Sequence, residues 1–295
     1  MKAVKGVKFG YRPIPSSREL LFTFKDMVNE AIRICLAENV RGRLRLRDRI
    51  YKEFQEKYRV VSCFPYSVAE VAWSIVKKHK RWHRKPYAKR PMFKMDAASF
   101  SLNYSILSLP FRKGERVLIP LRYGEYQRSF LMDKTLKRGS VTMTESSIVI
   151  AFSKEPPQKE PSRRVGYDLN EKSIVGSDGT VHDLSELARL HTLYGVRRSR
   201  FYERHPHDRR LRKKFASSRR EKERVKQALH RVATLIVEKA RANNEAIVLE
   251  RLKGIRYAHQ KGNGERTATR RRIALWPFRQ LQSYVEYKAR WAGVP

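Results

Sequence analysis

Two acidic side chains stand where acids are costly. Asp168 lies within Arg164-Val165-Gly166-Tyr167-Asp168-Leu169-Asn170, and Glu250 ends Glu245-Ala246-Ile247-Val248-Leu249-Glu250. A carboxylate in or at the end of an apolar strand loses hydration unless a cation or solvent compensates it. Mg²⁺ and Mn²⁺ prefer oxygen ligands, and ions held by paired carboxylates can clamp the attacking and leaving oxygens of a phosphodiester. Asp168 and Glu250 are therefore candidate catalytic metal ligands. The alternative is a pair of ordinary strand-end acids bound to surplus arginines, and spacing alone leaves both open. Gly166, two residues from Asp168, removes side-chain bulk and would let a phosphate or metal approach the backbone. His79 and His83 are four apart on a predicted helix, with no Asp, Glu or Cys nearby. They read as hydrogen-bonding groups on a polyanion-facing surface, and His205 and His207, split by Pro206, make no better metal pair.

The elements that must position the two acids can be read on either side of them. Val165, Tyr167 and Leu169 share one face of the first strand, and Gly166, Asp168 and Asn170 the other. Glu171-Lys172 predicts a tight turn, residues 173–176 a returning strand, Ser177-Asp178-Gly179-Thr180 a second turn, and Val181 the start of a third strand. Residues 196–226 hold fourteen Lys and Arg against four acids. Such a density points to backbone phosphate contact, with Arg209, Arg210, Arg212, Lys213, Lys214, Arg219 and Arg220 as candidates. Val225, Leu229, Val232, Leu235, Ile236 and Ala240 then keep one helical stripe. Asn243-Asn244 stops that helix. Residues 246–249 read as a buried parallel strand, whose carboxyl end is where open α/β sheets bind ligands. Residues 256–272 predict a basic loop. Trp276-Pro277 opens a last helix with Phe278, Leu281, Val285 and Ala289 inward.

The N-terminal half predicts a different organisation. Residues 1–15 hold one strand, and residues 16–95 a helical region. Its first helix starts on a Ser16/Glu19 capping box and its third on Ser67/Glu70. The second buries Leu46, Ile50 and Phe54. The third carries a basic end through Lys85, so Arg81, Arg84 and Lys85 are candidate nucleic-acid contacts. Three helices with such an end fit a helix-turn-helix-like reader as well as they fit a plain bundle. Residues 96–155 alternate with period two, including residues 128–132, and predict a small β-barrel. Its aromatic residues could stack on bases or simply fill the barrel. Residues 156–163, rich in proline, read as a linker to a domain of residues 164–295.

Composition limits the partners. Among 295 residues, 66 Lys and Arg face 29 acids, a formal charge of +37. Such an imbalance repels itself unless a polyanion relieves it, so nucleic acid is the expected partner. No apolar run approaches transmembrane length and no signal peptide opens the chain, which predicts a cytoplasmic, nucleoid-associated protein away from membranes. Cys35 and Cys63 are the two cysteines and read as buried thiols of a reducing compartment. With no CxxC pair, the chain alone offers no zinc site.

Val165-Gly166-Tyr167-Asp168-Leu169-Asn170 with Ser177-Asp178-Gly179 resembles the first RNase-H-like (RuvC-type) motif of the OrfB/TnpB proteins of insertion sequences. Residues 246–255 resemble their second motif. Trp276-Pro277-Phe278-Arg279-Gln280-Leu281-Gln282 with Tyr287-Lys288-Ala289 resembles the helix that follows. The resemblance implies an α+β multidomain chain, with a helical insertion and a small barrel before an RNase-H-like nuclease domain. It implies a transposon-associated, RNA-guided DNA endonuclease, with guide RNA and DNA as partners and Asp168 and Glu250 as ligands for Mg²⁺ or Mn²⁺. The family continues with a zinc ribbon and a final aspartate that have no candidates here. The expectation is thus a C-terminally incomplete nuclease domain, inactive or impaired in this form, as a fragment, a decayed copy or a form that binds without cutting. The alternatives are a catalytically silent RNA-guided DNA-binding regulator and a generic basic RNA-binding protein. The last predicts that Asp168 and Glu250 lie far apart in the fold.

Overall fold

Residues that alternate in polarity build sheets, and those that recur every three or four build helices, in a computed structural model describing residues 2–79, 85–157, 160–170, 172–216, 219–250 and 276–295. The chain divides into one unit of Val4–Lys154 and one of Glu155–Pro295 with Met1–Ala3.

The first unit begins with β1 (Ala3–Tyr11), α1 (Pro15–Ala37), α2 (Arg43–Tyr58) and α3 (Cys63–Lys78). It continues with β2 (Met92–Met95), β3 (Ser101–Asn103), β4 (Ile106–Pro110), β5 (Arg116–Arg122), α4 (Glu125–Met132), β6 (Lys137–Thr144) and β7 (Ser147–Lys154). The strands lie in the order β2-β6-β7-β1-β5-β4-β3, so among the described residues the sheet is open and the expected barrel is not closed. Helices do the covering instead. Phe24 of α1 and Phe64 of α3 pack on Phe93 of β2, with ring centroids 5.2 and 5.6 Å away, so the apolar face is buried without closure.

Several local expectations are corrected. Residues 128–132 belong to α4, not to a strand. Tyr126 and Phe130, four apart, meet with ring centroids 5.2 Å apart, a helical spacing that the alternating reading overlooked. The start of α1 is tied by Ser17, whose Oγ accepts from the Ile14 N–H and donates to the Ile14 carbonyl, and Glu19 pairs with Arg112. Ser67 is buried inside α3, and Glu70 pairs with Lys94 at 2.6 Å. The helix holds Lys77 and Lys78, the first two residues of the basic run, and stops at Lys78.

The second unit holds β8 (Arg163–Leu169), β9 (Ser173–Gly176), β10 (Val181–Asp183), α5 (Ser185–Arg204), α6 (Arg209–Ala216), α7 (Arg219–Ala242), β11 (Glu245–Leu249) and α8 (Phe278–Ala292). Its sheet runs β10-β9-β8-β11, with β8, β9 and β10 antiparallel in turn and β11 parallel to β8. Among the described residues β11 is thus an edge strand, parallel to β8 as expected but only partly buried, with Val248 48% exposed. The basic stretch is broken by residues 205–208, where Asp208 Oδ1 accepts the Leu211 N–H at 2.8 Å and caps α6. One apolar core joins Val165, Tyr167 and Leu169 of β8 to Leu229 and Ile236 of α7, and to Leu281 and Val285 of α8.

Candidate metal and nucleic-acid site

The register of the two parallel strands decides where the acids go. Leu249 lies opposite Tyr167, and both face the core. The next residue on each strand, Glu250 and Asp168, therefore turns to the other face at the same level, because side chains alternate along a strand. Both are exposed there. Burial at the strand end, then the like charge of Asp168 and a side-chain hydrogen bond with it, push the Glu250 carboxyl above its ordinary range. The two carboxyl groups thus meet within hydrogen-bonding reach.

Two amides hold this pair from outside. Asn170 Nδ2 donates to Asp168 Oδ2 at 2.8 Å, and Gln282 Nε2 of α8 donates to the Glu250 backbone carbonyl at 2.6 Å. On the same face, Gly166 exchanges hydrogen bonds with Ser177, and a Cβ added at Gly166 would meet nothing within 4 Å. The space beside Asp168 is open to a ligand.

The donor set fits a hard divalent cation. Two adjacent carboxylates repel each other until a proton or a cation sits between them, and oxygen donors suit Mg²⁺ and Mn²⁺. Among the described residues no group of three or more His, Cys, Asp and Glu could hold a metal, so the pair would leave the remaining positions to water or phosphate.

A second ionic cluster lies on the core side of the same strands. Glu245, 1% exposed, accepts from Arg163 Nε and Nη2 at 2.9 and 2.5 Å and from Asn243 Nδ2 at 3.2 Å. Asp178 accepts from Lys239 Nζ and, at 3.1 Å, from the Thr180 N–H. Lys239 foremost, then the Thr180 N–H, hold the Asp178 carboxyl far below its usual range. Burial pushes the Tyr167 hydroxyl up to about 12, with the charges of Asp178 and Glu245 adding to it. Gly176 is required beneath this cluster, since a Cβ there would lie 2.5 Å from Asp178 Oδ1. These ion pairs tie β8, the turn after β9, α7 and β11 together behind the exposed acids.

The basic candidates are placed less closely. Arg209 and Arg210 are exposed on α6, and Lys214 is exposed on the same helix. Arg212 is half-buried, donating to the Tyr202 carbonyl at 3.0 Å with its guanidinium 5.1 Å from the Tyr202 ring centre, so it has a structural duty. Arg220 is exposed on α7; Lys213 lies in α6 and Arg219 opens α7. Lys85 is exposed in the first unit, while Arg81 and Arg84 lie outside the described residues, as do His83 and the expected loop of residues 256–272. Neither the Gln282 contact nor the Glu245–Arg163 pair is marked by spacing in the sequence. An acid opening the apolar run 246–249 was the available signal for the latter.

A mixed α/β unit with two acids side by side at the ends of parallel strands defines a class of sheet-end acidic sites. Comparison with known proteins narrows it. TnpB-like protein MJ0751 of Methanocaldococcus jannaschii is 30% identical over 194 residues, covering 60% of this chain and 68% of that one. The chain belongs to the TnpB-like family. Its fold is similar to that of Cas12f1 in a cryo-EM structure of a Cas12f1–sgRNA–target DNA complex. The TM-score is 0.62 at 14% identity, over 94% of this chain and 71% of the other. No protein-family model matches the chain.

Proposed function

We propose that this protein is a transposon-associated, RNA-guided DNA endonuclease that hydrolyses a phosphodiester at Asp168 and Glu250. The observation that carries the reading is the meeting of these two acids, distant along the chain, on one face of β8 and β11. A generic polycation has no use for two mutually repelling carboxylates at a sheet end. The TnpB-like relative and the guide and target strands in the Cas12f1 complex support RNA and DNA as partners. So does the charge of +37.

Mg²⁺ or Mn²⁺ held by Asp168 and Glu250 would supply Lewis-acid stabilisation of charge developing on the phosphate oxygens. The chain's own residues do the rest. Asp168 and Glu250 present oxygen donors from a rigid sheet, and the bare backbone at Gly166 leaves room for a phosphate beside them. The exposed Arg209, Arg210 and Arg220 hold sugar–phosphate backbone and carry no sequence information. The cell's nucleoid is then its place of action.

The test purifies the protein with the RNA that accompanies it, sequences that RNA, and offers a DNA duplex matching it. The expected result is Mg²⁺-dependent cutting by the wild type, with none by Asp168→Ala or Glu250→Ala while binding is kept. Binding of the matched duplex without cutting at any Mg²⁺ or Mn²⁺ concentration would favour the catalytically silent regulator.

A further inference from the structure

We infer that Asn170 and Gln282 are positioning residues that set the geometry of the carboxylate pair toward a divalent cation. The inference rests on the proposed role of Asp168 and Glu250. Leu249 is the last residue of β11 in register with β8, so the sheet ladder does not fix the backbone of Glu250. The Gln282 amide supplies what the ladder does not, donating to the Glu250 carbonyl at 2.6 Å. It does so from a rigid support: its neighbour Leu281 and Val285 one turn on are 1% and 2% exposed in the core.

Asn170 acts on the other acid, and directly. Its Nδ2 donates to Asp168 Oδ2 at 2.8 Å, which restricts rotation of that carboxylate. Its own backbone is fixed where the Asn170 N–H donates to the Ser173 carbonyl at 2.9 Å, at the turn between β8 and β9. One amide thus orients a carboxylate by its oxygen, and the other by the main chain that bears it. Carboxylates that share one ion must be held to within about 0.5 Å. Loss of such supporting partners commonly weakens metal binding about 10–100-fold.

The experiment measures Mn²⁺ binding by the full chain, from the loss of the free-ion paramagnetic resonance signal, for the wild type, Asp168→Asn, Asn170→Ala and Gln282→Ala. Thermal unfolding of each in EDTA is recorded alongside. The expected result is loss of the site in Asp168→Asn and roughly tenfold or greater weakening in both alanine variants, with unfolding midpoints in EDTA close to wild type. A residue that merely stabilised the fold would shift the midpoint and leave the affinity alone. If Asp168→Asn abolishes binding while both alanine variants bind as the wild type does, the inference is overturned and the metal site stands. If Asp168→Asn binds Mn²⁺ as tightly as wild type, the metal reading itself is overturned. Should an alanine variant lose its cooperative transition, the near-isosteric Asn170→Leu and Gln282→Met replace it, with the same expectations.

Discussion

Two carboxylates side by side are a liability carried at the residue scale. Glu250 is raised by burial at the strand end and by its contact with Asp168, so ionising both costs free energy. Replacing Glu250 by Gln should therefore stabilise the metal-free protein. Solvent screening at this exposed site limits the gain to roughly 0.5 kcal/mol, or about 1–2 °C in the unfolding midpoint. Mg²⁺ should raise the midpoint of the wild type and leave that of Glu250→Gln nearly unchanged, since only the wild type keeps the ion's ligands. Scanning calorimetry in EDTA and in Mg²⁺ checks both. Asp178 is the opposite case, an acid whose partners are supplied. Lys239 and the Thr180 N–H lower its folded-state pKa below the unfolded value of about 3.9. Its contribution is complete above that value and is lost as pH falls through the folded one. Asp178→Asn should lower stability at neutral pH by about 1–3 kcal/mol. It should also flatten the decline in stability below about pH 4, as urea unfolding across that range will show.

At the scale of elements, α6 separates basic residues that are exposed from one that holds the fold. Arg209 and Arg210 are exposed, whereas Arg212 is anchored on Tyr202. Arg209→Ala with Arg210→Ala should weaken RNA binding and reduce the slope of log affinity against log salt by roughly 1.4, if both meet a single-stranded backbone. Arg212→Ala should instead lower the unfolding midpoint. Filter binding over a salt series, paired with thermal melts, distinguishes the two. This division was not legible in the sequence, where the basic residues form one continuous run. Chain polarity shows in sequence, but which arginine folds back onto a neighbouring helix is a tertiary matter. Elements with strong periodicity were legible: the inner faces of α2 and α8 hold the residues their spacing requires, Leu46, Ile50 and Phe54 in one and Phe278, Leu281, Val285 and Ala289 in the other. The strands around Asp168 were equally readable: β8 is followed by a returning β9 at residues 173–176, and Asp178-Gly179 marks the next turn, before β10. Short elements were not. β2, of four residues, falls inside the stretch whose sequence reads as helical, and α4 reads as a strand because eight residues carry barely two turns of signal. The open sheet was hidden for a related reason: whether a sheet closes depends on what covers it, and the packing of Phe24 and Phe64 on Phe93 is a tertiary contact that periodicity does not show.

For the whole molecule, charge decides how stability answers to its surroundings. A formal +37 on 295 residues makes self-repulsion a standing cost, and the surface ion pairs are too few to cancel it when 66 bases face 29 acids. Salt screens repulsion between exposed charges over about 8–10 Å at physiological strength. Rising salt should therefore raise the unfolding midpoint of the free protein. Bound to RNA the dependence should reverse. The polyanion then supplies the neutralising charge, and added salt weakens the complex by removing the advantage of counter-ion release. The two curves, midpoint against salt with and without a saturating RNA, should converge at high salt, where the complex has dissociated. A free protein destabilised by salt would mean that its internal ion pairs, such as Lys239–Asp178 and Arg163–Glu245, outweigh the repulsion among its exposed bases.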